Sequence, residues 1–381
     1  MKHKKFYLII LFVLSSCFCF SQAQYRNKIF VPDILGYKTL KCDFHMHTVF
    51  SDGDVWPTFR VREAWREGLD AIALTDHLEY QPKKNYVPTN HDHAFNIAKD
   101  LANELGITLI KGAEITRSMP PGHLNAIFIN DGNSLILDNW KDVINEVKKQ
   151  GGIINWNHPG WRSQQSDGIP KWYDEHSFLH DNKMLTGIEV VNGIEFYPLA
   201  LDWCLDKNIT ILSNSDVHDP VNFEYDFDKS GRRAMTFVFA KENSSDAIKD
   251  ALLNQRTVAY FNNKLYGREK FLSEIFNKSV FFKSNFVKTT GRETAMLQIE
   301  NKSDITFQLE LINEDDKVGY PLHIDLMAGK TVLFNIRAKK DDIKINKNVI
   351  VNYRVKNLIV GSDKTLIVPL EFNLDINPAK K

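Results

Sequence analysis

The sequence contains few cysteines and no excess of either charge. Only four of its 381 residues are cysteine, and 48 lysine and arginine residues balance 48 aspartate and glutamate residues. This balance gives no electrostatic basis for nucleic acid or an anionic membrane as the main partner. Two cysteines lie within the first 23 residues, whereas Cys42 and Cys204 lie in apolar segments. We therefore expect two buried free thiols and no disulfide framework.

The N-terminal residues 1–23 are predicted to be a signal peptide. Three lysines precede an apolar run at 6–14, and small residues at 21–23 provide a cleavage site before Gln24. The run is shorter than the ~20 residues that span a bilayer, which disfavours a transmembrane anchor. We expect an exported protein, periplasmic or secreted. The alternative is a lipoprotein anchored through Cys17, because residues 14–17 resemble a lipoprotein cleavage box.

The remaining chain shows two different patterns of apolar and polar residues. Residues 24–278 alternate apolar strands with amphipathic helices, and a run such as 69–77 is apolar almost throughout, which is typical of a parallel strand covered on both faces. This alternation predicts a parallel α/β barrel, a fold whose chemistry lies at the carboxyl ends of the strands. From residue 279 to 381, short segments alternate apolar and polar residues without a helical period. That pattern predicts a small antiparallel β-sandwich, which we expect to pack on the barrel or to mediate self-association.

Candidate metal ligands begin in the run 41–53. His45 and His47 lie two residues apart, so on an extended strand both point to the same side and can bind one cation. Six of the twelve histidines and three carboxylates stand in this run or at strand ends, namely His45, His47, Asp52, His77, Glu114, His123, His158, Asp216 and His218. A lone histidine at a strand end is more often structural, but nine such residues at one face indicate a metal centre. Three borderline cations would use all nine if a carboxylate bridges two of them.

These motifs resemble those of the PHP (polymerase and histidinol phosphatase) superfamily of metallohydrolases. The resemblance covers residues 39–260 and rests on Asp43-Phe-His45-Met-His47, Thr75-Asp76-His77, Gly112-Ala-Glu114, Gly122-His123, Asn157-His158-Pro159 and Ser215-Asp216-Val-His218. It implies a distorted seven-stranded (β/α) barrel that holds three divalent ions, Mn²⁺ or Zn²⁺, with Fe²⁺ as an alternative. It further implies three sets of ligands: His45, His47, Glu114 and Asp216; then Glu114, His123 and His158; and finally Asp52, His77 and His218.

A closer resemblance, at residues 155–161, 187–193 and 231–240, is to exported bacterial PHP phosphodiesterases. It implies hydrolysis of a small organic phosphate ester, most specifically a phosphodiester, by a hydroxide that bridges metals. Glu114 and Asp216 would be the catalytic carboxylates. We expect Arg232 and Arg233, or Arg162 as a weaker candidate, to offset charge on the phosphoryl oxygens. A phosphomonoesterase, a carboxyl ester or carbamate hydrolase, and a non-enzymatic scaffold with a vestigial barrel are the alternatives.

Overall fold

The computed structural model describes residues 24–88 and 90–380, so the predicted signal peptide lies outside the described residues. Within these ranges strands β1 to β10 are Lys38–Asp43, Ala71–Leu74, Thr108–Ile115, Leu124–Ile127, Ile153–Trp156, Leu185–Asn192, Glu195–Phe196, Thr210–Asn214, Met235–Ala240 and Thr257–Phe261. Helices α1 to α9 are Pro57–Glu67, His93–Leu105, Trp140–Lys149, Asp174–Asp181, Pro198–Asp206, Val221–Glu224, Phe227–Ser230, Ser245–Leu253 and Glu269–Ser279, with a 3-10 turn at Asn133–Leu135. No helix among the described residues is long and apolar enough to cross a bilayer.

The first ten strands form the predicted distorted α/β barrel, but not all of its strands are parallel, which differs from the expectation. β1, β2 and β3 are parallel neighbours, and β5, β6 and β8 are parallel neighbours. β4 runs antiparallel between β3 and β5, and β9 runs antiparallel to β1. Side chains rather than a backbone ladder connect β8 to β9 and β10, since Ser213 N donates to Thr236 Oγ1 (2.9 Å) and Thr257 Oγ1 donates to the Ile211 carbonyl (2.7 Å).

These directions place several strand ends at one edge of the barrel. The carboxyl ends of the parallel strands meet the amino ends of the antiparallel strands β4 and β9 there. The barrel interior is filled by apolar side chains, which include Leu40, Phe44 and Ile110. Cys42 and Cys204 are buried free thiols, as expected.

The C-terminal strands form the predicted antiparallel sandwich. In the described residues β11 to β20 are Lys264–Gly267, Val280–Phe282, Phe286–Thr290, Thr294–Asn301, Phe307–Leu311, Val318–Gly319, His323–Leu326, Thr331–Ala338, Ile345–Gly361 and Lys364–Asn377. β12, β14, β18 and β16 form one sheet, and β13, β20, β19, β15 and β17 pack opposite it in a second sheet that continues into the barrel. The link is the pairing of β11 with β19, where Leu265 lies opposite Leu358. The β domain therefore packs on the barrel, and one hydrophobic core runs through both.

Candidate metal centre

The barrel edge brings all nine predicted ligands together. β1 ends at Asp43, and the chain continues extended, with Met46 bridged to Val217 of the segment after β8. This bridge sets His45 and His47 beside Asp216. Asp216 Oδ1 lies 3.0 Å from His45 Nε2 and 3.1 Å from His47 Nε2, and the two Nε2 atoms are 3.1 Å apart. Two ring nitrogens that face each other and one carboxylate oxygen form a converging set of ligand atoms.

Glu114, near the carboxyl end of β3, lies at the centre of the cluster and is fully buried. Its Oε1 lies 3.2 Å from His123 Nδ1 and 3.4 Å from both His45 Nε2 and His158 Nε2. Its Oε2 lies 2.6 Å from His77 Nδ1 but has no partner with hydrogen-bond geometry. A buried carboxylate oxygen without a hydrogen bond, surrounded by ring nitrogens, fits a cation-bridging role.

A second part of the cluster surrounds Asp52. Its carboxylate oxygens lie 3.3 Å from His218 Nε2 and 3.5 Å from His77 Nε2, and the His47 and His218 rings stack with centroids 4.2 Å apart. The turn that carries Asp52 packs closely, because a Cβ on Gly53 would lie 2.6 Å from the His47 carbonyl carbon. A glycine at this position therefore lets Asp52 reach the histidines.

The groups of ligand atoms differ from the sets that the resemblance implies. His47 belongs both with His45 and Glu114 and with the Asp52 group. The four groups are His47, Asp52, His77 and His218; His45, His47 and Glu114; His45, His158 and Asp216; and His77, Glu114 and His123. The ligands are thus shared among neighbouring positions, and their division into three sets stays a prediction.

The charge state of the cluster suits cations. Burial, with His218 and His77 close by, lowers the pKa of His47 to about 3, so this ring is neutral and can offer a lone pair. Burial alone would raise the pKa of Glu114, but His77, His45 and His123 hold it well below its usual range. Burial would lower the pKa of His77 and of His218, but Glu114 and Asp52 raise these values to about 10 and about 9. Protons among these carboxylates therefore take the places that divalent cations would occupy.

The backbone is strained at two of these residues. Asp216 has φ of 54° and His158 has φ of 26°, a region that non-glycine residues rarely adopt. Hydrogen bonds hold both in place: Asp216 N donates to the His45 carbonyl (2.9 Å), and His158 N donates to Glu189 (2.7 Å). Strain of this kind is typical of functional sites.

Comparison with known proteins agrees with this arrangement. A family model for the PHP domain matches residues 43–198, and one for an Ig-like domain matches residues 280–371. The chain is 47% identical to the crystal structure of a two-domain protein from Bacteroides vulgatus that contains a predicted PHP-like metal-dependent phosphoesterase. The match covers 92% of this chain and 100% of that one, with a TM-score of 0.86. The chain belongs to the PHP superfamily of metallohydrolases. An uncharacterized protein of Methanocaldococcus jannaschii is 37% identical over 84 residues, which is 22% of this chain and only 36% of that relative.

Both arginines proposed as phosphate contacts lie elsewhere in this PHP protein. Arg233 is 1% exposed, and its guanidinium binds Asp43 Oδ2 (3.1 Å) and Glu67 Oε2 (2.7 Å). This corrects the expectation that Arg233 contacts substrate, because burial and two carboxylate partners leave it inaccessible. Arg232 pairs with Asp304 of the β domain at 3.4 Å instead of reaching the metal cluster. Sequence position placed both at the correct barrel edge but could not show which way they point.

Arg162, the weaker candidate, folds back on its own loop. Its Nη1 lies 3.5 Å from the Ser166 carbonyl, and a Cβ on Gly168 would lie 3.1 Å from its guanidinium carbon. Two exposed aromatic residues lie at the cluster instead. Trp161, 41% exposed, has its ring centroid 5.4 Å from that of His123. Tyr80, 52% exposed, lies 5.8 Å from the His77 ring on another side.

Sequence reasoning gave no role to several buried polar residues of the PHP domain. Arg60 is fully buried and donates to the carbonyls of His47 (2.9 Å) and His218 (2.7 Å), so it joins the segments that carry four ligands. Asp76 accepts from Thr48 N (2.7 Å) and Ser51 Oγ (2.8 Å) and so holds the Asp52 turn. The sequence feature that could have indicated them is a charged residue at a position where the pattern expects an apolar one, such as Arg60 on the buried face of α1.

Proposed function

We propose that this PHP protein is a metal-dependent phosphodiesterase that hydrolyses a small organic phosphate ester. The observation that carries the proposal is the convergence of six histidines and three carboxylates at one edge of the barrel. The similar protein from Bacteroides vulgatus contains a predicted PHP-like metal-dependent phosphoesterase, which supports the same class of chemistry here.

The nine residues would hold three divalent cations, Mn²⁺ or Zn²⁺. Glu114 is the best placed bridge, since both of its oxygens lie among ring nitrogens. Cations bound there would lower the pKa of water and offset charge on the phosphoryl group. Asp216 and Glu114 would hold these cations beside the histidines, while Trp161 and Tyr80 border the approach to the cluster.

The surroundings of the cluster favour a diester over a monoester. A monoester carries close to two negative charges near neutral pH and therefore calls for more positive groups. Across the described residues, the salt bridges of Asp52, Glu114 and Asp216 are to histidines alone. Nearby cationic side chains pair with other carboxylates: Arg117 binds Glu79 at 2.9 Å, and Lys83 binds Asp54 and donates to the Asp52 carbonyl at 3.2 Å. Exposed aromatic rings beside the ligands suit a second organic substituent on phosphorus.

The test is a comparison of chromogenic substrates with protein reconstituted in Mn²⁺ and, separately, in Zn²⁺. Bis(p-nitrophenyl) phosphate should have a higher kcat/KM than p-nitrophenyl phosphate, and p-nitrophenyl acetate should be a poor substrate. Asp216→Asn, which keeps the shape of the side chain but removes its charge, should abolish turnover and thus exclude a contaminating phosphatase. A monoester preferred ten-fold, or activity confined to the carboxyl ester, would overturn the phosphodiesterase proposal.

We also propose that the protein is exported. The lysines and the apolar run within residues 1–23 support this. Mass spectrometry of protein from the native host should find a chain that begins near Gln24, whereas an acylated Cys17 would show the lipoprotein form. A cytosolic chain that retains Met1 would contradict both.

A further inference from the structure

Glu189 of β6 is a buried carboxylate that lies directly behind the metal cluster. It is fully buried in a strand whose neighbouring residues Ile188 and Val190 are apolar. Its four hydrogen bonds use both oxygens equally. Oε1 accepts from His45 Nδ1 (2.8 Å) and Asn214 Nδ2 (2.9 Å). Oε2 accepts from His158 N (2.7 Å) and Asn192 Nδ2 (2.8 Å).

Through these bonds Glu189 reaches three of the candidate ligands. A carboxylate only accepts, so the proton of His45 is on Nδ1, and Nε2 is left to face Asp216 and Glu114. The bond to His158 N holds a residue whose φ is 26°. Asn192 Nδ2 also lies 3.2 Å from Asp216 Oδ2, so it connects Glu189 to the second strained residue.

The same contacts tie Glu189 to the opening segment. Asn214, which donates to Glu189, accepts from Phe44 N through Oδ1 at 2.9 Å. No hydrogen bond or salt bridge connects Glu189 to Asp52, His77 or His218 among the described residues. Its contacts therefore divide the cluster, with His45, His158 and Asp216 on one side and the Asp52 group on the other.

We propose that Glu189 is a positioning residue that selects the metal-binding tautomer of His45 and aligns His158 and Asp216 with it. This inference rests on the proposed metal centre. Carboxylates that orient a ligand histidine typically change metal affinity 10- to 100-fold when they are mutated. The loss of metal affinity should be confined to the metal sites formed by His45, His158 and Asp216 and should not extend to the metal site at Asp52.

Glu189→Gln is the sharpest variant because it keeps the shape of the side chain. Each oxygen of Glu189 accepts two hydrogen bonds, so the NH₂ group of a glutamine amide would face two donors in either orientation of the amide. If the NH₂ group points toward His158, it faces a backbone N–H, which can only donate a hydrogen bond and cannot become an acceptor. Toward His45 it would force the ring proton onto Nε2, the atom that faces Asp216 and Glu114. We therefore expect the glutamine to disable His45 as a ligand even in a correctly folded protein.

The experiment measures Mn²⁺ and Zn²⁺ binding in chelator-buffered solutions, with metal equivalents determined by elemental analysis. Glu189→Gln should weaken the sites at His45, His158 and Asp216 by about 10- to 100-fold and leave the site at Asp52 unchanged. The matched comparison is Asp76→Asn, which loosens the Asp52 turn and should show the opposite pattern. Glu67→Gln, which removes a partly buried carboxylate that contacts Arg233 and no ligand, controls for a general loss of stability.

Unchanged affinity in Glu189→Gln, or equal weakening at all sites, would overturn the positioning role while leaving the metal centre intact. A wild-type protein that binds no divalent metal would overturn the proposed function as well. A measurement on the wild type keeps the inference testable if the variant does not fold. In a zinc-loaded crystal structure His45 should bind zinc through Nε2 and keep Nδ1 on Glu189. Coordination through Nδ1 would refute the role of Glu189.

Discussion

Replacing Arg233 by methionine separates a structural role from a catalytic one. Arg233 is buried between Asp43 and Glu67, with contacts of 3.1 and 2.7 Å. Asp43 in turn accepts from Ser215 N at 3.1 Å, beside the ligand Asp216. Methionine fills similar space but leaves the buried Asp43 and the partly buried Glu67 without their counter-ion. Breaking a buried ion pair in this way typically costs about 3–5 kcal/mol of unfolding free energy.

This cost converts into a measurable change in melting temperature. Unfolding entropy of about 2.1 cal/mol/K per residue gives about 0.8 kcal/mol/K for a chain of 381 residues. The barrel and the β domain share one core, so we expect them to unfold together. Arg233→Met should therefore lower Tm by about 4–6 °C.

The assay is thermal unfolding followed by circular dichroism, alongside turnover of bis(p-nitrophenyl) phosphate below the melting range. Arg232→Met is the matched control, because its partly exposed pair with Asp304 is worth at most about 1 kcal/mol, or about 1 °C. A 100-fold loss of kcat in Arg233→Met with Tm unchanged would refute the structural role and restore Arg233 as a substrate contact.

Two further predictions concern the metal ligands and a buried histidine. Glu114→Gln should lose more than one metal equivalent because the carboxylate lies among five histidines, whereas Asp52→Asn should lose mainly one; elemental analysis after dialysis distinguishes them. Burial lowers the pKa of His176 to about 4, against about 6.5 when unfolded. Between those values only the unfolded chain takes up the proton, so stability should fall as pH drops from 6.5 to 4, by up to about 3 kcal/mol. Chemical denaturation of metal-free protein should show a smaller fall in His176→Gln.

The ligands were predictable because a strand end is a position that sequence can locate. A continuous apolar run followed by Asp76-His77 or His158 identifies the end of a strand, and the carboxyl ends of parallel strands lie at one edge.

Strand direction could be predicted only in part from the sequence. Eight residues separate β3 from β4, fewer than a parallel crossover needs, so the reversal at β4 had a signal. Nothing in the sequence indicated that β9 and β10 run in opposite directions, because the helix between them is typical of a parallel connection.

The supporting contacts were not predictable because they join residues far apart in the chain. Arg233 is 190 residues from Asp43, and Glu189 is 144 residues from His45. A sequence gives an arginine at the start of a strand the same appearance whether it points to substrate or to a buried carboxylate. Glu189 did carry a signal, since an unpaired charge in an apolar strand is costly and implies a buried partner. That signal indicates a partner without naming it.

The number of bound metals can be read from stability as well as from elemental analysis. The candidate ligands come from segments throughout residues 45–218, so only the folded chain assembles them. A ligand that binds only the folded state adds about 1.4 kcal/mol per site for each ten-fold rise in free concentration above its Kd. With about 0.8 kcal/mol/K of unfolding entropy, one site raises Tm by about 2 °C per decade and three sites raise it by about 5 °C. We therefore expect the plot of Tm against the logarithm of free Mn²⁺ to steepen to about 5 °C per decade once all sites fill. Asp52→Asn should reduce this final slope by a third, because the variant retains two sites. A slope that never exceeds 2 °C per decade of free Mn²⁺ in the wild type would show that a single cation binds. The histidines and carboxylates that do not bind this cation would then only support its ligands.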